Sequence, residues 1–138
     1  MMKVLIAEDN PVNRELLREL LEGRGYGVDE ACDGVEALEM LKRARPDILL
    51  LDLGMPKLDG YSVVQKIRKN PMLADLPVLA VTAYAMRGDR EKVLDSGFDG
   101  YLSKPIDAAS LEQELERLLS QPGARYVPPG QATLKSTF

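Results

Sequence analysis

The sequence predicts an α/β fold, a doubly wound parallel sheet of five strands with a helix after each. Three observations carry that expectation. Short apolar runs alternate with segments whose apolar residues recur at helical spacing, the pattern of βα units. Four of the runs, VLIA, DILLL, VLAV and GYLS, lead directly into Glu8-Asp9, Asp52, Thr82 and Lys104-Pro105. Ile48 to Leu51 is apolar at every position, as a strand covered by helices on both faces should be, and this marks the centre of the sheet.

Lys3 to Ala7 reads as the first strand. Asn10 then caps a helix with Pro11 in its first turn, and Val12, Leu16, Leu17, Leu20 and Leu21 recur at helical spacing as far as Gly23, giving an amphipathic helix packed on the sheet. Gly27 to Ala31 makes a shorter second strand. Asp33-Gly34 turns the chain into a helix with Val35, Leu38 and Leu41 on its buried face, and Pro46 stops it. After the third strand Gly54, Pro56 and Gly60 mark a loop, followed by a helix carrying Val63, Val64 and Ile67 that ends near Asn70-Pro71. Pro77 opens a fourth strand running through Thr82. The fourth helix, around Arg87 to Ser96, is the weakest, because Gly88 near its start costs about 1 kcal/mol against alanine. Gly97 caps it, Gly100 to Ser103 forms the last strand, and Leu111, Leu115, Leu118 and Leu119 line the final helix. Residues 1–120 therefore read as one domain, and 121–138, rich in proline and glycine without helical period, as a flexible tail.

Composition narrows the function classes. With 138 residues, 45% of them hydrophobic and 29% charged, the chain suits a single globular domain rather than a disordered or fibrous one. No apolar stretch approaches the roughly 20 residues needed to cross a bilayer, and with a strand expected almost at the first residue no basic-then-apolar signal segment is expected. Cys32 has no second cysteine to pair with, so a reducing compartment and a cytoplasmic location are expected. The net charge is −4 and the cations are scattered, which argues against direct nucleic-acid binding. There is no histidine, which excludes imidazole zinc sites and Ser-His-Asp catalysis, and means that any phosphohistidine must come from a partner.

In a parallel α/β sheet the carboxyl ends of the strands share one edge, where ligands bind. Glu8, Asp9 and Asp52 should therefore lie close together, and at about 4 Å each like-charge pair costs roughly 4 kcal/mol at an effective dielectric near 20. Only cations relieve that. Lys104 supplies one charge, and a hard divalent ion supplies two. Magnesium fits, because it favours one or two carboxylates plus waters and phosphate oxygens. Asp9 and Asp52 would bind it directly, Glu8 through a water, with the backbone carbonyl of Gly54 as a further ligand. Asp52, ending the central strand, is the expected phosphoacceptor, since a carboxylate can attack phosphorus to give an aspartyl phosphate. Magnesium and Lys104 would hold two phosphoryl oxygens and the Thr82 hydroxyl would donate to a third.

Competing readings lack their motifs. No GxxxxGK[ST] loop is present for a P-loop nucleotidase, and Gly54 stands where an aspartate-nucleophile phosphatase would want a second aspartate. A flavin-binding relative would need a hydroxyl- and glycine-rich phosphate loop in place of EDNPVN. A phosphorylation-independent adaptor remains the alternative from another class, against which the complete acceptor site argues.

The runs VLIAEDNPVN, DILLLDLGMPKLDG, PVLAVTAYAM and GYLSKPI, in this order, resemble the receiver domain of bacterial two-component response regulators, from Lys3 to about Leu119. TAYAMRGDREKVLDSGFDGYLSKPI looks especially like single-domain cell-division receivers of the DivK type and receivers fused to hybrid histidine kinases. The resemblance implies the (βα)5 fold of the flavodoxin and CheY-like type with strand order 2-1-3-4-5. It implies Asp52 as phosphoacceptor, Glu8 and Asp9 as acidic magnesium-site residues, Thr82 as switch hydroxyl, Lys104 as phosphate-binding lysine, Tyr101 as switch aromatic, and a cis bond between Lys104 and Pro105. The expected function is a phosphorylation-controlled switch of a phosphorelay, not a classical enzyme. Its donor would be a histidine kinase or histidine phosphotransferase, its output a protein target at the face of the fourth helix, fifth strand and fifth helix, and its state a monomer or weak dimer. The alternative within the family is a receiver module excised from a larger protein. Gly54 and Tyr84 would flank the path of the hydrolytic water and bear on the lifetime of the phosphoryl group.

Overall fold

Five βα units follow one another along the chain in the computed structural model, which describes residues 1–83 and 89–120. The elements are β1 (Lys3–Ala7), α1 (Pro11–Glu22), β2 (Gly27–Ala31), α2 (Gly34–Arg43), β3 (Ile48–Asp52), α3 (Gly60–Lys69), β4 (Val78–Thr82), α4 (Asp89–Asp95), β5 (Gly100–Ser103) and α5 (Ala108–Ser120). The strands pair in parallel in the order β2-β1-β3-β4-β5. Alternation along each strand splits the core into two layers. Val4, Ile6, Ile48, Leu50 and Leu79 face α1 and α5, whereas Leu5, Ala7, Leu49, Leu51, Val78 and Ala80 face α2, α3 and α4. All five residues of β3 are buried, as the unbroken apolar run requires.

The helices begin where side chains cap them. Asn10 Oδ1 accepts from the N–H groups of Val12 and Asn13 at 2.9 and 3.1 Å, Asp33 Oδ1 from Glu36 at 2.8 Å, Asp59 Oδ1 from Ser62 at 2.8 Å and Asp107 Oδ1 from Ser110 at 2.7 Å. Three apolar residues assigned to buried helix faces stand outside. Val12 is 73% exposed, and Leu16 and Val35 are each 43% exposed. Helix α1 seats Leu17 and Leu21 in the core, leaving Val12 and Leu16 on an outer stripe; α2 instead buries Gly34, Ala37 and Leu41. Gly34 is buried because the loop before α3 crosses it so closely that a Cβ would lie 2.2 Å from the Leu58 carbonyl. The expected role of Gly88 in α4, the start of that helix at Arg87, the Tyr84 position and the tail 121–138 lie outside the described residues.

At the amino edge of the sheet, Arg68 near the end of α3 ties three segments together. Its guanidinium donates to the carbonyls of Gly97, Ala74 and Leu76 at 2.8, 3.1 and 2.7 Å and to Asp99 Oδ2 at 2.7 Å. Asp99 Oδ2 also accepts from Val78 N–H at 2.8 Å. Gly97, at φ +114°, occupies the left-handed region that glycine tolerates, so the end of α4 turns sharply over this clamp.

Candidate functional site

The strand register assembles the site. Ala7 pairs with Leu51, so the next residues, Glu8 and Asp52, leave adjacent strands side by side; Thr82 pairs with Ser103, and Lys104 follows. All emerge at the carboxyl edge. One carboxylate oxygen from each of Glu8, Asp9 and Asp52 lies within 4.8 Å of the others. Glu8, Asp52 and Thr82 are buried, whereas Asp9 faces solvent, so the cluster opens outward on its Asp9 side.

Lys104 closes the other side. Its Nζ lies 2.5 Å from Glu8 Oε1 and 3.2 Å from Asp52 Oδ2. The remaining oxygens are held by backbone: Glu8 Oε2 accepts from Asn10 N–H at 3.0 Å and Asp52 Oδ1 from Gly54 N–H at 3.1 Å. Lys104 N–H donates to the Thr82 carbonyl at 2.7 Å, and the Lys104–Pro105 peptide is cis. The loop from Leu53 to Asp59 is drawn tightly over the end of β3. A Cβ at Gly60 would stand 2.8 Å from the Asp52 carbonyl, so only glycine lets α3 start there without moving the Asp52 backbone. Within this loop Leu58 N–H donates to Pro56 O at 2.7 Å across Lys57, whose φ of 66° is strained for a lysine. Lys57 also faces Asp33 at 3.3 Å.

Electrostatics follow from burial. Desolvation pushes the Glu8 carboxyl up to about 7, with the Asp52 charge adding to it and the Lys104 and Asn10 contacts opposing it. Burial alone would depress the Lys104 ammonium, but its contacts with Glu8 and Asp52 outweigh that and hold it above the ordinary lysine value. The cluster thus carries excess negative charge that a single ammonium only partly balances. Its donors are hard carboxylate oxygens, some buried and some open, a set that suits an oxygen-seeking divalent cation.

Glu8, Asp9, Asp52 and Lys104 therefore meet, as the sequence suggested. Thr82 ends the strand beside that of Asp52, and Gly54 lies two residues beyond it with its N–H on the carboxylate. Tyr101 is farther off, half-buried on β5 against the core layer under α2, α3 and α4, and it lines a surface hollow with Arg90, Ser103 and Pro105. Sequence reasoning missed Arg14, which donates to the Glu8 carbonyl at 2.9 Å. The only signal for it was a cation placed one turn into the helix that follows the acidic pair.

A doubly wound parallel sheet with an acidic cluster, a hydroxyl and a lysine on its carboxyl edge defines a class of phosphoryl-handling signalling domains. The model of the response regulator receiver domain matches residues 4–116, and the chain belongs to that family, the signalling switches of two-component systems that work with histidine kinases or phosphotransfer partners. The chain is 37% identical over 116 residues to the polar-differentiation response regulator DivK of Brucella anthropi, covering 84% of this chain and 94% of the relative. It is 42% identical over 120 residues to an uncharacterised 14.6 kDa protein of Leptolyngbya boryana, covering 87% of this chain and 88% of that one. Among solved structures, the receiver domain of a sensor histidine kinase from Pseudomonas aeruginosa, with a magnesium ion coordinated in its active-site cleft, superposes with a TM-score of 0.81 at 38% identity, covering 87% of this chain and 98% of that one. The Vibrio cholerae chemotaxis protein CheY4 gives 0.80 at 31% identity, over 86% and 99% of the two chains.

Proposed function

We propose that this chain is a phosphorylation-controlled switch whose Asp52 accepts a phosphoryl group from the phosphohistidine of a histidine kinase or histidine phosphotransferase. The observation that carries this reading is the Asp52 carboxylate at the end of the central strand, held by Lys104 Nζ and Gly54 N–H within reach of Glu8 and Asp9. An Asp52 oxygen forms the new bond to phosphorus while the nitrogen–phosphorus bond of the donor breaks, and the departing imidazole takes a proton from solvent. The donor must be a partner, because this chain has no histidine. Magnesium, held by Asp9 and Asp52 directly, by Glu8 through water and by the Gly54 carbonyl, would neutralise the charge of the phosphoryl oxygens; the magnesium-bearing kinase receiver supports this.

Lys104 holds a second phosphoryl oxygen and the Thr82 hydroxyl donates to a third. In the resting protein Lys104 is shared between Glu8 and Asp52. Converting Asp52 to its acyl phosphate redirects that ammonium to the phosphoryl group, and the pull on Thr82 draws in the end of β4. Tyr101 turns into the space released, which shifts an existing two-state equilibrium and alters the α4–β5–α5 face for a downstream protein. A cytoplasmic monomer or weak dimer that makes no direct nucleic-acid contact completes the reading. Among the described residues no helix is long and apolar enough to cross a membrane.

Beryllium trifluoride with magnesium mimics an aspartyl phosphate and tests the switch. Amide resonances of Asp52, Thr82, Lys104 and Tyr101 should all move to saturation in the wild type. Thr82→Ala should keep the shifts around Asp52 and lose those at Tyr101. A saturated site with Tyr101 unmoved in the wild type would refute the proposed coupling.

A further inference from the structure

Arg14 has no part in the scheme above, yet it touches the backbone that carries the acidic pair. Its side chain is 19% exposed; Nη1 donates to the Glu8 carbonyl at 2.9 Å and reaches the Asp9 carbonyl at 3.5 Å, and Nε faces Glu30 Oε1 at 3.4 Å. Glu30 sits on β2 opposite Ile6, and its other oxygen faces Arg18 Nη2 at 3.3 Å. Arg18 in turn donates to the Val28 carbonyl at 3.0 Å. One carboxylate thus anchors two arginines of the same helix, and only Arg14 reaches the loop leaving β1.

That difference matters for direction. The Glu8 N–H donates to the Ala31 carbonyl at 3.1 Å, and its carbonyl accepts from Arg14, so both backbone polar groups of Glu8 are fixed from β2 and α1. The peptide between Glu8 and Asp9 is thereby held, and with it the directions in which the two carboxylates leave the sheet edge.

We infer that Arg14 is the positioning residue of the divalent-cation site, fixing Glu8 and Asp9 through their carbonyls while Glu30 holds its guanidinium in place. The inference rests on the metal reading above. Two effects compete when Arg14 is removed. Loss of a positive charge near the cluster favours a dication, whereas loss of backbone order disfavours it. Glu30 pairs with that charge and weakens its field at the site, so the ordering effect wins. Groups that orient ligands in this way typically change metal affinity about 10–100-fold.

Magnesium titrations followed by the Asp9, Asp52 and Gly54 amides, together with the melting temperature of each metal-free protein, separate these effects. Arg14→Gln should weaken magnesium about tenfold, and Arg14→Lys, which keeps the charge but cannot span the two carbonyls and Glu30, should weaken it severalfold. Arg18→Gln loses the same Glu30 partner; it should lower the melting temperature comparably and leave the affinity within about twofold. Equal or tighter binding by Arg14→Gln, or equal weakening by Arg18→Gln, overturns the positioning role. No magnesium binding by the wild type overturns the metal reading itself, a result distinct from the other two.

Discussion

Arg68→Met should cost about 3–5 kcal/mol of folding stability, the usual consequence of stranding one member of a buried ion pair. The Arg68 and Asp99 side chains are only 13% and 4% exposed. Removing the guanidinium takes the ion-pair partner from the Asp99 carboxylate, to which the Val78 N–H still donates, and strips a donor from the carbonyls of Gly97, Ala74 and Leu76. Each is the sort of loss that the low-dielectric interior makes expensive. Asp99→Asn in the same background removes the stranded charge while keeping an acceptor for Val78, so the double variant should recover part of the loss. Urea unfolding of the two single variants and the double reads this directly as a thermodynamic cycle. A loss below about 1 kcal/mol for Arg68→Met, or no recovery in the double variant, would show that the clamp contributes little.

The metal-free protein should lose stability as pH rises from about 5 to 7. Glu8 is pushed up to about 7 when folded, against an ordinary value of 4.5. A carboxyl with the higher folded value binds its proton more tightly in the native state. It therefore supports folding most fully below about pH 4.5, and that support is gone above about pH 7. The shift corresponds to about 3 kcal/mol, taken as an order of magnitude. This chain has no histidine to titrate in that range. Magnesium should reverse the trend by favouring ionised Glu8, so the stabilisation it confers grows with pH. Urea midpoints measured across this range with and without magnesium provide the check. Glu8→Gln should flatten the metal-free profile; an equal slope in that variant would assign the effect to another group.

Much of this was legible because local pattern and global fold agree. The unbroken DILLL run marked a strand buried on both faces, and the Asn10-Pro11 and Asp33-Gly34 pairs marked helix starts that the caps confirm. The carboxylates and Lys104 could be placed together because parallel strands end on one edge, whatever their register. Helix faces were less legible. The five apolar positions of α1 span an arc wider than the surface it buries, so spacing alone could not choose Leu17 and Leu21 over Val12 and Leu16. In α2 the contact is so close that Gly34 and Ala37 share the buried face with Leu41, and small residues leave little hydrophobic signal. The Arg68–Asp99 clamp joins residues 31 apart in the chain and has no local signature. Lys57 at positive φ was equally silent, because lysine is not a residue that marks left-handed turns.

The central claim is transfer of a phosphoryl group from a partner histidine to Asp52. It is tested most directly by mixing the protein with a histidine phosphotransferase carrying a radiolabelled phosphohistidine, with magnesium, and following the label onto this chain. The account predicts rapid, magnesium-dependent transfer to the wild type as a base-labile acyl phosphate, and none to Asp52→Asn. Equal labelling of Asp52→Asn, or failure of the wild type to accept label from any of a broad panel of phosphorylated histidine donors that transfer to other receivers, would contradict it.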